Sequence, residues 1–385
     1  MQISQQFDGG NIEVIACERA EDIQLKIRSD RNSEFYQWFY FRISGIKNTR
    51  CTIKIMNASG AAYPGGFDAY RICYSYDREN WLRHPTSLNG EILSFELEAE
   101  QDAVYIAYFA PYSMERHADL VAHSLQSSRC SHQLLGHSLD GQDLDLLKVS
   151  SGTDDGSKKN CWIIARQHPG ETMAEWWMEG CLERLLDDNN EQSAKLLEKC
   201  NVFLVPNMNP DGSRRGHLRT NAAGKNLNRE WAEPSMESSP EVFLVKQAMD
   251  DSARAGNSVD FFLDVHGDES LPYCFIAGAE GLSDWNSAKQ RQLDFYKNTL
   301  MELNSDFQTK EGYPTKQPGQ ANLTMSTGQT GKNHKCLVMT LEMPFKDTIE
   351  TPDDKFGWSP ARSKRLAHSC LDAMSAYIDS GLMVD

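Results

Sequence analysis

His168-Pro169-Gly170-Glu171 sets an imidazole and a carboxylate three positions apart, directly behind the apolar run Cys161-Trp162-Ile163-Ile164-Ala165. That run reads as a buried strand, and Pro169 and Gly170 break regular structure, so the motif forms the turn leaving it. A second apolar run, residues 259–265, ends in His266-Gly267-Asp268. Two imidazole nitrogens and one glutamate oxygen are the donor set of a catalytic zinc site, with the fourth position left for water. The chemistry to expect is zinc-assisted hydrolysis, with His168, Glu171 and His266 holding one ion per chain. A single histidine behind a strand is most often a satisfied surface or core side chain. Two such motifs, each closing an apolar strand, are more specific, because open α/β sheets bind ligands beyond the carboxyl ends of their strands.

Between the two motifs lies Asn209-Pro210-Asp211-Gly212, a turn signal straight behind the apolar stretch 201–206. Arg214, Arg215, Arg219 and Arg229 then crowd a short segment of an otherwise acidic chain. A solvated surface loop would account for them. An anion-binding loop accounts for them better at Arg219 and Arg229, because a guanidinium presents a planar fork to a carboxylate.

The elements that must position these groups fall into two regions. Residues 1–118 carry short β-branched and aromatic segments at 23–27, 35–41, 51–55, 70–74 and 103–109, separated by turn signals such as Asn89-Gly90. Strands at that spacing predict an antiparallel β-sandwich domain. From 119 to 385 strands alternate with helices, the clearest helical face being Met173, Ala174, Trp177, Met178, Cys181, Leu182 and Leu185. Further helices are expected over 292–303 and 361–378, and a strand over 335–341. The alternation predicts an α/β domain, helices flanking a mixed, mostly parallel sheet.

Composition narrows the partners. The chain has 385 residues, a formal charge of −16 and ordinary hydrophobic content at 40%. So acidic a surface argues against nucleic-acid binding. No apolar run approaches the ~20 residues of a membrane span, and no secretory leader is read at the start. The 10 cysteines show no Cys-x-x-Cys spacing and several sit in apolar runs, which fits a reducing cytoplasm without disulfides.

In their order, His168-Pro169-Gly170-Glu171, Asn209-Pro210-Asp211-Gly212, Arg219-Thr220-Asn221, Leu227-Asn228-Arg229, His266 and Thr340-Leu341-Glu342 resemble the zinc carboxypeptidases of the carboxypeptidase A superfamily. Gln37-Trp38-Phe39-Tyr40-Phe41 and Tyr108-Phe109-Ala110-Pro111-Tyr112 resemble segments of the cytosolic carboxypeptidase branch, which places a β-sandwich before the catalytic domain. The resemblance implies a metallocarboxypeptidase acting on peptide or protein C-termini. Glu342 would be the general base and Arg219 the group that stabilises the oxyanion, while Asn228 and Arg229 would grip the substrate's terminal carboxylate. It also makes glutamate the first candidate for the residue removed, whether C-terminal or side-chain-linked. An acidic leaving residue needs a cation in its pocket, and Lys316, Lys332 and Lys335 are the candidates near Glu342.

The chain departs from the family pattern at three places. Asn226 stands where an aspartate often supports a zinc histidine, and its amide accepts the same hydrogen bond without the charge. Residues 318–330 lack the mobile tyrosine of the digestive enzymes, which leaves that role empty unless Tyr313 reaches in. Asp268-Glu269 put two carboxylates behind the second histidine. Two other functions fit parts of the pattern. An N-acyl amino acid deacylase of the aspartoacylase type would share the zinc triad but not the β domain, and a silent peptide-binding module would have no need of Glu342.

Overall fold

A computed structural model describes residues 1–383. The N-terminal part forms two five-stranded sheets. In the first, Gln2–Ser4, Tyr40–Ser44, Ala103–Ala107, Arg71–Ser75 and Leu82–Pro85 lie side by side, all antiparallel. In the second the order is Glu13–Ala16, Ile23–Lys26, Arg50–Ile55, Ile92–Glu98 and Ser87–Asn89. Alternate residues turn inward, as the two-residue period of a strand requires: Cys51, Ile53 and Ile55 are buried opposite Leu97, Phe95 and Leu93. These side chains and those of Phe41, Ile43, Ile72, Val104 and Ile106 share one core.

Two details depart from the sequence expectation. Ile23–Lys26 pairs with Arg50–Ile55 in parallel, an exception in an otherwise antiparallel domain. The aromatic stretch 35–41 is strand only from Tyr40 onward. Before that point its polar groups are spent on other partners. The Gln37 amide donates to Tyr63 O (2.9 Å) and to the Tyr108 hydroxyl (2.8 Å), and Trp38 Nε1 donates to Gly9 O (2.9 Å).

The C-terminal part is built on a seven-stranded mixed sheet. Its centre is four mutually parallel strands in the order Cys200–Val205, Lys159–Ala165, Phe261–Asp268 and Leu337–Pro344. Antiparallel strands Asp143–Val149 and Cys130–His137 extend one side, and Phe275–Ala277 closes the other. The central strands are apolar on both faces because both faces are covered. Trp162, Ile164, Val205, Phe262 and Val338 pack with helix Pro240–Arg254, whereas Cys161, Ile163, Phe261, Leu263, Met339 and Leu341 join the main core.

Helix Thr172–Leu185 leaves the first metal motif and is buried on nearly every side. Its predicted apolar face is present, but the opposite face is covered too, and there charged side chains find partners. Glu175 bonds His117 Nδ1 (2.6 Å) and Arg166 (2.5 Å), and Glu179 accepts from Arg116 Nε and Nη2, each at 2.8 Å. Helix Pro360–Asp379 crosses it at Gly180, where an added Cβ would lie 2.5 Å from Lys364 Cα and 2.9 Å from its carbonyl oxygen. Backbone cannot yield as a side-chain tip can, so Gly180→Ala forces the helices apart. We expect a stability loss of about 1–3 kcal/mol, read as a lowered urea midpoint. An unchanged midpoint would show that the crossing is slack.

All ten cysteines are free thiols. No helix among the described residues is long and apolar enough to cross a membrane.

Candidate active site

Strand register brings the chemical groups together. Cys161–Ala165 and Phe261–Val265 run parallel in register, so both metal motifs emerge at the same sheet edge. On the other side His266 lies directly opposite Glu342. The turn His168-Pro169-Gly170-Glu171 is held from beneath by Arg166, a buried residue at φ +60°, whose Nε donates to Pro169 O (3.0 Å). Gly170 is required by close approach: its N–H donates to Leu218 O (2.9 Å), and a Cβ there would sit 2.9 Å from that same oxygen.

The donor atoms of His168, Glu171 and His266 all lie within 4.8 Å of one another. His168 Nδ1 is 2.7 Å from Glu171 Oε1, His266 Nδ1 is 2.8 Å from Glu171 Oε2, and the two Nδ1 atoms are 3.2 Å apart. Each ring's outer nitrogen has its own acceptor: Asn226 Oδ1 for His168 (3.0 Å) and Asp264 Oδ2 for His266 (2.9 Å). This is the arrangement a metal-binding histidine uses, the outer hydrogen bond fixing tautomer and ring orientation. The donor set therefore fits a divalent zinc ion.

Burial and the Arg219 charge push His168 down to about 4, which favours the neutral ligand form. Burial opposes ionisation of Glu171 as well, yet the two imidazoles hold it below the usual carboxylate range. For His266 burial is again outweighed, here by the carboxylates of Asp264 and Glu171, and its pKa lies well above the ordinary value.

The other expected residues line the same cavity of about 670 Å³. Arg219 Nη1 is 3.9 Å from Glu171 Oε1. Asn228 is buried, its Oδ1 accepting from Ser326 N–H (2.9 Å). Arg229 has no ion pair among the described residues; its Nη1 donates only to the Asn228 carbonyl (2.6 Å). Burial and the neighbouring Arg219 lower its pKa, as expected of a guanidinium lacking a counter-charge. The two remaining arginines of the segment stay outside: Arg214 is exposed and Arg215 pairs with Asp140 (2.6 Å).

Glu342 is buried, with Oε2 lacking a hydrogen-bond partner among the described residues and Oε1 receiving the Tyr313 hydroxyl (3.1 Å). Burial, with Glu171 and Asp268 nearby, raises its pKa well above the carboxylate range, against the opposing charge of His266. Tyr313 does reach in. Its hydroxyl is also 2.7 Å from Asp268 Oδ2, and its ring stands edge-on to Phe275 at 4.9 Å. Having one proton, it can donate to only one carboxylate at a time.

Of the lysines, only Lys316 borders the cavity, joined by Lys297 from helix Ser287–Leu303. Lys332 is exposed and does not line the cavity, and Lys335 caps helix Ser326–His334 in the left-handed region, its Nζ 2.9 Å from Asp284. Sequence reasoning missed Lys297 and Asp264. Asp264 had a legible signal, since it stands two residues before His266 on one strand and so on the same face. Tyr63, a cavity residue from a bend in the N-terminal domain, had none. Asn209-Pro210-Asp211-Gly212 is more than a turn: it opens the short helix Pro210–Arg215, with the Asn209 side chain accepting from Gly212 N–H (3.0 Å).

Comparison with known proteins agrees over almost the whole chain. Residues 3–109 match the model of the cytosolic carboxypeptidase N-terminal domain, and residues 117–375 match that of zinc carboxypeptidase. A Pseudomonas aeruginosa metallo-carboxypeptidase, solved in complex with (2-guanidinoethylmercapto)succinic acid, is 44% identical with a TM-score of 0.95, over 98% of this chain and 99% of its own. An uncharacterised Zymomonas mobilis protein is 48% identical over 98% of this chain and 97% of its own length. Cytosolic carboxypeptidase 6 of Caenorhabditis elegans is 27% identical over 88% of this chain and 77% of its own.

Proposed function

The chain belongs to the zinc carboxypeptidases and is a metallocarboxypeptidase, and we propose that it removes single residues bearing a free carboxylate from peptide or protein C-termini or side-chain branches, glutamate first among them. The observation that carries this reading is the unpaired Arg229 beside Asn228, sharing a cavity with Arg219, Glu342 and the three convergent donors. An exposed guanidinium without a counter-charge in the cavity lining invites a carboxylate. The molecule named with the Pseudomonas relative carries two carboxylates, consistent with such a site, together with a guanidino group that lends no support to glutamate.

His168, Glu171 and His266 would hold one zinc ion. Bound there, zinc supplies Lewis-acid polarisation and acidifies a water. Asn228 and Arg229 bind the terminal carboxylate and so set which peptide bond is presented. Arg219 donates to the carbonyl oxygen as it gains charge. Glu342 takes a proton from the attacking water and passes it to the departing amine. Lys316 and Lys297 are the cations available to a glutamate side chain, although Asp268, Glu269 and Glu280 line the same cavity. The reading includes a division between the two domains at residue 118 and a cytoplasmic setting, supported by ten free thiols.

One panel of peptides tests this: sequences ending in Glu, Phe or Lys, each with a free and an amidated terminus. Amidation should lower kcat/KM roughly 10–100-fold, and Arg229→Ala should raise KM by a similar factor. Glutamate should lead the panel, and Lys316→Met or Lys297→Met should erase that lead. Equal cleavage of amidated and free termini would make the enzyme an endopeptidase or amidase, and a preference for Phe or Lys would remove the glutamate assignment.

A further inference from the structure

The loop that carries Arg219 is held by the N-terminal sheet domain. The buried Asp30 carboxylate accepts from the backbone N–H groups of Leu218 (2.6 Å), Arg219 (2.8 Å) and Thr220 (2.9 Å), and from the Thr220 hydroxyl (3.1 Å). The next residue, Arg31, donates its N–H to His217 Nε2 (3.1 Å), while His217 Nδ1 donates to Thr220 O (2.9 Å). A backbone N–H can only donate and a carbonyl only accept, so His217 is the neutral tautomer protonated at Nδ1. Asn32 Nδ2 donates to Ala222 O (3.4 Å), and a Cβ on Gly224 would lie 2.3 Å from the Asn32 oxygen. The Arg219 guanidinium is 5.8 Å from the ring of Phe35 and 5.3 Å from that of Tyr63. On its other side the same turn meets the metal motif, through Gly170 N–H and Leu218 O at 2.9 Å.

Among the described residues, every hydrogen bond of the Asp30 side chain crosses to this turn. A buried carboxylate is costly unless its acceptor sites are filled. The donors that fill these sites belong to the residues on either side of Arg219 and to Arg219 itself. We infer that Asp30 is a positioning residue for Arg219, so that the N-terminal domain completes the active site without touching the reacting atoms. An oxyanion donor works because it is already in place when charge develops. A displacement of about 1 Å, caused far from the chemistry, can cost on the order of 10²-fold. The inference rests on the oxyanion role proposed for Arg219.

The test is a double-variant cycle on the full-length, zinc-loaded enzyme with Asp30→Asn and Arg219→Ala. Asp30→Asn keeps the side-chain shape but turns an amide donor toward N–H donors. It should retain zinc and leave KM nearly unchanged, while kcat falls roughly 10–100-fold. In the Arg219→Ala background the same change should cost less than about threefold, because the group being positioned is gone. Losses that multiply would show a general structural role and overturn the inference, as would an unchanged kcat in Asp30→Asn. Near-native turnover in Arg219→Ala alone would instead remove the role of Arg219, on which the inference stands. Should Asp30→Asn not fold, Phe35→Leu in the same cycle decides. It removes one ring flanking the guanidinium, and its loss should likewise vanish in the Arg219→Ala background. Multiplying losses there would overturn the inference equally.

Discussion

Glu342→Gln should keep its zinc and bind peptide about as well as the parent enzyme, while kcat falls roughly 10²–10⁴-fold. The reasons are geometric and electrostatic. Glu342 is not among the convergent metal donors, so the ligand set is untouched. The glutamine has the same shape, and its Oε1 can still accept from Tyr313, as the carboxylate does at 3.1 Å. What disappears is the basicity of Oε2, an atom buried without a partner beside His266 on the neighbouring strand. Burial and nearby carboxylates make Glu342 a stronger base than a surface glutamate. A proton acceptor for the attacking water and donor for the leaving amine is then missing. Steady-state kinetics with parallel zinc analysis checks this. Turnover within about twofold of the parent would mean that another group moves the proton.

His266→Ala should lose the ion and drop activity at least about a thousandfold, since Lewis-acid catalysis contributes several kcal/mol. The imidazole is one of the three candidate donors that converge among the described residues, and its removal also leaves Asp264, fully buried, without one of its partners. The variant will therefore be less stable as well, which makes activity loss alone ambiguous. Chelation of the parent enzyme separates the two effects. Removing metal from the intact protein should abolish turnover, and added zinc should restore it at about one ion per chain. The same zinc should not restore His266→Ala, even where circular dichroism shows it folded. Full zinc occupancy in that variant would take His266 out of the ligand set.

How much of the site could be read in advance differs from residue to residue. His168 and Glu171 follow one strand and His266 another, and strands betray themselves by apolar runs. Tyr313 was harder, because it lies in an irregular segment whose path follows from contacts such as its ring on Phe275. The hairpin of Cys130–His137 with Asp143–Val149 escaped notice for a related reason: its outer strand is largely exposed and polar, so no buried pattern marks it. Lysine carries even less information. Lys297, Lys316, Lys332 and Lys335 are alike in type, and only the packing of their elements separates those at the cavity from those in solvent.

Taken alone, the amino-acid sequence determined the order of the two domains, the candidate metal donors His168, Glu171 and His266 that the fold brings together, and the arginine-rich segment between them. These are written in local chemistry: residue type, spacing and periodicity decide them within a few positions of the chain. The tertiary structure decided what depends on distant neighbours. It set His266 opposite Glu342 by strand register, left Arg229 without an ion pair among the described residues, and brought Asp30, in a loop of the N-terminal domain, onto the backbone of Arg219. Such pairings cross long stretches of chain, and they arise only when burial forces polar groups to find partners wherever the fold has placed them.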